Sequence, residues 1–322
     1  SSHATVQSRV EPRGGNPFSL HTYYVGTAYQ ERVRSSMQAR WAQGAALDQM
    51  NRMLDTASAL WVDRIAKIGA PGDIGSSGTL EGLLADAAAK STPPPLVVVI
   101  LCKLVMRSNA FEALVASKLH TGSHSAPIRL SPLPDDLPNR DCHAFASNGE
   151  LCCEHKPDGS CNYLSTESTC SQGLRRYQSE YVDAFAAVLG RHSSVPVVAI
   201  IEPDSLPNLA TNLDEPRCGN MATRVAYAQG VAYAINTLAA RAPHATLYLD
   251  AGHGGWLGWP QQADKFATVV AGLDGDAHQH LRGFATNVRR QLVSTPRPMA
   301  PASAALDPSS YAPPIPQAMA LR

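Results

Sequence analysis

Short apolar runs alternate with longer helical patterns along this 322-residue chain. Continuous apolar runs are typical of strands buried on both faces of a parallel sheet, and strands are predicted over 57–63, 96–100, 195–201, 245–250 and 284–288. Apolar residues spaced by three and four predict a helix-rich segment over 22–64 and helices over 79–90, 174–189, 221–241 and 260–273. This alternation predicts an α/β fold with parallel strands and right-handed crossovers.

Two segments depart from the alternation. Residues 101–134 are basic and carry several Ser and His residues, so we expect an atypical insertion there, either a long loop or an error in the gene sequence. Seven prolines fall between Pro296 and Pro316, among Ala and Ser, and this composition buries too little apolar surface to fold. We therefore predict an α/β domain over 1–293 and a disordered tail over 294–322.

Charge and composition narrow the range of partners. Lys plus Arg and Asp plus Glu both total 27, so nothing electrostatic favours nucleic acid or an anionic membrane surface. No apolar run approaches the roughly 20 residues that span a bilayer. A dinucleotide cofactor is disfavoured because no Gly-x-Gly-x-x-Gly follows an early strand. We expect a monomer without a cofactor that acts on a neutral substrate.

The cysteines indicate a secreted, disulfide-bonded protein. Seven cysteines are many for a cytosolic chain, and four of them fall in a cysteine-rich loop over 151–171, at Cys152, Cys153, Cys161 and Cys170. Their spacing lacks the C-x2-C pairs of structural zinc sites, so disulfides are favoured over a metal. The spacing leaves the pairing of these four open, and Cys102 is the expected odd cysteine.

Candidate chemistry lies at three predicted strand or loop ends. The sequence Ile201-Glu202-Pro203-Asp204 follows one apolar strand, Leu249-Asp250-Ala251-Gly252-His253 ends another, and Asn139-Arg140-Asp141-Cys142 precedes the cysteine-rich loop. The carboxyl ends of parallel strands are where substrates bind in α/β proteins. Carboxylates together with Trp256 and Trp259 at one such edge suggest sugar chemistry.

Taken together, these stretches resemble glycoside hydrolase family 6, the inverting cellulases that cut β-1,4-glucan. The resemblance runs from about Asp136 to Val288, with a weaker similarity at Asn16-Pro17-Phe18 and Leu60-Trp61-Val62-Asp63. It implies a distorted parallel β/α barrel of the family type and a β-1,4-glucan or cello-oligosaccharide substrate. An Asp-x-Gly-Arg-like motif is absent after Val288, so we expect an incomplete barrel, truncated at the C-terminus.

The resemblance assigns roles to individual residues. Asp204 matches the general acid and Asp141 the neighbouring aspartate that shares its proton, and coupled acids of this kind titrate as a pair. Ser147 matches the serine that holds the attacking water. The implied substrate-binding residues are Trp256 as the stronger sugar platform, Trp259, Asp250, His253, Asn287, Trp61 and Asp63. The resemblance also implies a Cys142–Cys218 disulfide that clamps the two acid-bearing loops.

Simpler explanations remain for several of these residues. Asp204 followed by serine is a common helix N-cap, and tryptophans at strand ends often pack in the core. His253 could be a solvated loop residue, and Asn287 could cap a helix. Two further functions also remain open: an inactive truncated relative that binds glucan without turnover, and an interaction module built on the cysteine-rich loop. A metal site is not expected, since no second histidine stands at ligand spacing.

Overall fold

The computed structural model describes residues 15–40, 42–101, 137–143 and 151–288. Within these ranges, the sheet consists of five parallel strands that lie side by side in chain order. The strands are β1 (Leu60–Val62), β2 (Val97–Leu101), β3 (Val197–Ile201), β4 (Ala245–Asp250) and β5 (Leu281–Ala285). Because right-handed crossovers between consecutive neighbours all step in one direction, they place the connecting helices on one face of the sheet.

Helices occupy most of the chain between the strands. They are α1 (Pro17–Leu20), α2 (Thr27–Met37), α3 (Ala45–Met53), α4 (Leu80–Lys90), α5 (Ser171–Arg176), α6 (Asp183–Arg191), α7 (Ser205–Thr211), α8 (Pro216–Gly219), α9 (Met221–Arg241), α10 (Gly254–Leu257) and α11 (Pro260–Ala271). A π-helix, Tyr177–Val182, joins α5 to α6. Short 3-10 helices span Ile65–Lys67, Gly75–Ser77 and Asp274–His280.

The core lies between the helices and one face of the sheet. Alternate strand residues point to opposite faces, and the buried hydrophobic cluster takes Val97, Val99 and Leu101 from β2. It takes the equivalent alternate residues from β3 and β4, and it includes the disulfide cysteines of the cysteine-rich loop. The loop therefore shares the core of the sheet.

The α/β architecture with a parallel sheet is confirmed, and the differences concern element ends. β1 covers Leu60–Val62 rather than 57–63, and β2 extends one residue further than predicted, to Leu101. β5 begins at Leu281 instead of near residue 284, and the helix predicted over 174–189 spans three segments because of the π-helix. Within the described ranges, every helix is too short or too polar to span a bilayer.

Several predictions concern residues outside the described ranges. They are the insertion beyond Leu101 with Cys102, the water-holding residue Ser147, and the tail over 294–322, together with residue 41 of the predicted helix-rich segment.

Candidate active site

Loops at the carboxyl edge of β3, β4 and β5 are joined by hydrogen bonds that their main-chain N–H groups donate. The Asp250 carboxylate at the end of β4 accepts the Asp204 N–H through Oδ2 at 2.9 Å. The same oxygen accepts the Gly252 N–H at 3.0 Å, and the Gly252 carbonyl accepts the Asn287 N–H at 2.7 Å. Asp250 is 1% exposed, so its carboxylate supports the loops from beneath. The structure thus brings together Asp204, Asp250 and Asn287.

Asp204 stands at the N-cap position of α7 in a left-handed conformation, with φ of 66°. An ordinary N-cap residue has extended backbone angles and bonds the first turn through its side chain. Within the described residues, the Asp204 side chain makes no such capping bond to α7. The capping explanation therefore does not account for this aspartate, and a conformation this uncommon points toward a functional constraint.

The two tryptophans differ in exposure. Trp259 is 52% exposed, just before α11. Trp256 is half-buried, packs against the hydrophobic core and donates its indole N–H to Thr211 Oγ1 at 2.8 Å. The His253 ring lies 6.0 Å from the Trp256 ring, centroid to centroid. Trp256 therefore makes a hydrogen bond inside the fold while its side chain stays partly exposed to solvent. Its role as the stronger sugar platform stays a prediction.

Asp141 is held below the surface by its neighbours. It is 3% exposed, with φ of 56°, and the next residue forms the Cys142–Cys218 disulfide to α8. The Tyr227 hydroxyl, from α9, donates to the Asn139 carbonyl at 3.0 Å. Burial raises the pKa of Tyr227 well above its ordinary value, so this hydroxyl stays protonated and keeps its role as a donor. The disulfide links the Asp141 loop to the segment that follows α7.

Glu202 is a residue that the sequence analysis did not select. It follows β3 directly, is 1% exposed, and its Oε1 accepts the Tyr177 hydroxyl at 2.8 Å. Tyr181, one turn along the same π-helix, donates its hydroxyl to the Val62 carbonyl at 2.5 Å. The π-helix thus ties the ends of β1 and β3 together. An acid directly after a wholly apolar strand must find a buried partner, and that signal could have identified Glu202.

Trp61 and Asp63 lie at the end of β1, two strands away from β3. Asp63 is 6% exposed and forms ion pairs with Lys67 at 2.9 Å and with Arg64 at 3.2 Å. Lys67 also donates to the Trp61 carbonyl at 3.3 Å, and Trp61 is half-buried. These two residues are close to each other, and their contact with a sugar stays a prediction, as does that of His253.

In the parts of the chain that the structure describes, no three His, Cys, Asp or Glu side chains gather as metal ligands would. The cysteines of the cysteine-rich loop pair as Cys152–Cys161 and Cys153–Cys170. With the Cys142–Cys218 bridge, these account for the six cysteines of the described ranges. The pairing that the sequence left open is therefore one of two interleaved local bridges beside Asp141.

The chain is similar to known proteins in both sequence and fold. Among sequence relatives, "Exoglucanase 3" of Agaricus bisporus is 33% identical over 310 residues, which cover 92% of this chain and 54% of that protein. "Exoglucanase A" of Cellulomonas fimi is 32% identical over 286 residues, covering 88% of this chain and 26% of that protein. The chain thus spans about half the length, or less, of these relatives.

Solved structures of cellulase catalytic domains superpose on the chain. The catalytic domain of Cellulomonas fimi Cel6B matches with a TM-score of 0.61 and 30% identity, over 85% of this chain and 51% of that one. The catalytic core of the cellobiohydrolase Cel6A from Chaetomium thermophilum gives a TM-score of 0.60 and 27% identity, over 86% of this chain and 61% of that one. These matches confirm the predicted barrel type, present here as a parallel sheet that is not closed within the described residues.

A family model agrees with these relatives. The model described as "Glycosyl hydrolases family 6" matches residues 135–320, which contain Asp141, Asp204, Asp250, Trp256 and Trp259. Together with the 33% identity to a relative across nine-tenths of the chain, this match confirms the resemblance read from the strand-end motifs. The chain belongs to glycosyl hydrolases family 6.

Proposed function

We propose that this chain hydrolyses β-1,4-glucosidic bonds in cellulose or a related β-glucan, with inversion at the anomeric carbon. Asp204 is the general acid in this proposal, and Asp141 assists it. The family membership and the relatives, which are named as exoglucanases and cellobiohydrolases, support the reaction and the substrate class. One solved relative is complexed with p-nitrophenyl β-D-cellotrioside, which supports a cello-oligosaccharide as substrate.

In an inverting reaction, a protonated carboxyl and an activated water act on opposite faces of the sugar. The Asp204 carboxyl gives its proton to the glycosidic oxygen as the bond from that oxygen to the anomeric carbon breaks. Water forms the new bond to the same carbon from the other face, and a carboxylate or a relay takes its proton. Asp141 stabilises the positive charge that develops on the ring, and Ser147 holds the water. The product is the α-anomer.

The position of Asp204 is the observation that carries the proposal. Its main-chain N–H is fixed by the buried Asp250 carboxylate, and its side chain does not cap the helix that it precedes. Its loop is joined to the Asp141 loop through α7, the following turn and the Cys142–Cys218 disulfide. A catalytic pair must be held within tight geometric limits, and these covalent and hydrogen-bonded ties provide that restraint.

The substrate in this proposal lies across the carboxyl edge of the sheet. A flat aromatic ring covers the apolar face of a pyranose, so Trp259 and the exposed part of the Trp256 ring would support glucose units. His253, Asn287 and, at the end of β1, Trp61 and Asp63 would face its hydroxyl groups. The buried Asp250, which the sequence analysis counted among the substrate-binding residues, would instead hold the Asp204 loop from beneath. No cofactor is required for this reaction. Disulfides persist in oxidising compartments, so the enzyme would act outside the cell. In this proposal it acts as a monomer.

The test is hydrolysis of cellohexaose, with the anomeric configuration of the products followed by NMR. We expect α-anomeric products from the wild-type chain. The rate of Asp204→Asn should be lower by a factor of about 100 or more, because general-acid catalysis supplies about two to four orders of magnitude. Asp264→Asn is the matched control, since it makes the same change at an exposed position of α11, and its rate should equal that of the wild type. β-Anomeric products, or full activity in Asp204→Asn, contradict the proposal. Folded protein that binds cellohexaose without turnover supports the inactive relative instead.

A further inference from the structure

The loop that carries Asp141 contains two residues in the left-handed region. Asn139 and Asp141 both have φ of 56°, and Asn139 is fully buried. Non-glycine residues rarely adopt this conformation, and it persists where the surrounding structure fixes it from several sides. The position of the Asp141 carboxyl therefore depends on the groups that hold the backbone of residues 139–141.

The cysteine-rich loop supplies three of these contacts. The Leu151 carbonyl accepts the Asn139 N–H at 3.3 Å, and the Cys153 N–H donates to Asn139 Oδ1 at 3.0 Å. The Tyr163 hydroxyl donates to the Arg140 carbonyl at 2.5 Å, which is the peptide group directly before Asp141. Tyr163 is 5% exposed, so water competes little for this bond.

The other side of the cysteine-rich loop is fixed to the segment around Cys218. The Arg217 guanidinium lies over the Tyr163 ring, 4.0 Å from its centroid. The Asn220 side-chain amide donates to the Ser165 carbonyl at 2.9 Å. Tyr163 thus contacts two groups. On one side is Arg217, which precedes the disulfide residue Cys218, and on the other is the Arg140 carbonyl, which precedes Asp141.

We propose that Tyr163 is a positioning residue for Asp141, and that the cysteine-rich loop braces the assisting aspartate of the active site. This inference rests on the proposed glucan hydrolysis. The ring of Tyr163 is held by stacking under Arg217, and its hydroxyl fixes the orientation of the Arg140 peptide group. When that bond is removed, the two left-handed residues gain freedom to relax, and the Asp141 carboxyl moves relative to Asp204.

The test compares two single-atom deletions in the full chain. Tyr163→Phe removes the hydroxyl and keeps the ring under Arg217. Tyr233→Phe is the matched control, because its hydroxyl donates to Asp183 at 3.0 Å on the outer helices. Each variant is measured for kcat and KM on cellohexaose. Amide hydrogen exchange is followed at Asn139 and Arg140, whose N–H groups bond to Leu151 and Leu137.

We expect Tyr163→Phe to lower kcat by roughly ten- to a hundredfold while KM stays within about threefold, since a small misplacement of a catalytic group has effects of this size. Exchange at Asn139 and Arg140 should be faster than in the wild type. Tyr233→Phe should match the wild type in both measurements.

Two results overturn the inference: exchange at Asn139 and Arg140 as slow in Tyr163→Phe as in the control, or faster exchange with unchanged kcat. If the wild-type chain hydrolyses nothing, the proposed function fails. In that case the exchange comparison still shows whether Tyr163 fixes the Asp141 loop.

Discussion

Removing the Cys142–Cys218 disulfide should destabilise the protein more than removing either local bridge. The two cysteines are 76 residues apart, and in the chain-entropy model a loop of this length contributes about 4.5 kcal/mol to the free energy of unfolding. The bridges Cys152–Cys161 and Cys153–Cys170 lie within that loop and shorten the path through it. They reduce the contribution of the Cys142–Cys218 disulfide to the free energy of unfolding to about 4 kcal/mol. The Cys152–Cys161 loop spans 9 residues and contributes about 2.6 kcal/mol by the same relation.

The assay is urea unfolding without reductant of Cys142→Ala/Cys218→Ala and of the control pair Cys152→Ala/Cys161→Ala. With an m-value of about 3 kcal/mol per M, the midpoint should fall by about 1.3 M in the first variant and by about 0.9 M in the control. Each change also deletes two buried sulfur atoms, so packing losses are similar in both pairs. An equal or larger shift in the control would refute the loop-length reasoning.

Two further changes test packing and electrostatics away from the acids. Gly173→Ala would place a methyl carbon 2.5 Å from the Cys152 carbonyl oxygen, so we expect a loss of about 1–3 kcal/mol in urea unfolding, and an unchanged midpoint would contradict this close approach. Burial alone would raise the pKa of Glu81, but hydrogen bonds and charges from Arg191 and His192 outweigh it and hold that pKa below its ordinary value of 4.5. Glu81 therefore stabilises the fold above about pH 4.5, and this contribution is lost as the pH falls further. Unfolding midpoints of the wild type and Glu81→Gln should converge in acid, and a gap that stays constant with pH would show that the ion pairs contribute nothing.

Much of the fold follows from local sequence patterns. The apolar runs of β2, β3 and β4 predict buried parallel strands, because a strand covered on both faces has no polar side to present. Helical periodicity places α9 and α11 within two residues of their observed ends. The strand-end motifs around Asp141, Asp204 and Asp250 indicate the family, since the order of short motifs along a chain is itself sequence information.

Contacts between distant parts of the chain were decided by the tertiary structure. Tyr177 meets Glu202 across 25 positions, Tyr163 meets Arg140 across 23, and Trp256 meets Thr211 across 45. Each pair depends on how whole elements pack, and no local propensity encodes it. The same holds for the interleaved cysteine pairing, because four cysteines allow three connectivities and only the fold brings two particular pairs into reach.

The sequence alone therefore determined the architecture and the set of candidate acids, because hydrophobic period and motif order are properties of the chain itself. The tertiary structure decided what holds those acids in place: Asp250 lies beneath Asp204, and the cysteine-rich loop lies against the Asp141 backbone. The physical reason is that burial and hydrogen bonding depend on groups far apart in sequence, whose distances are set when the helices pack against the sheet.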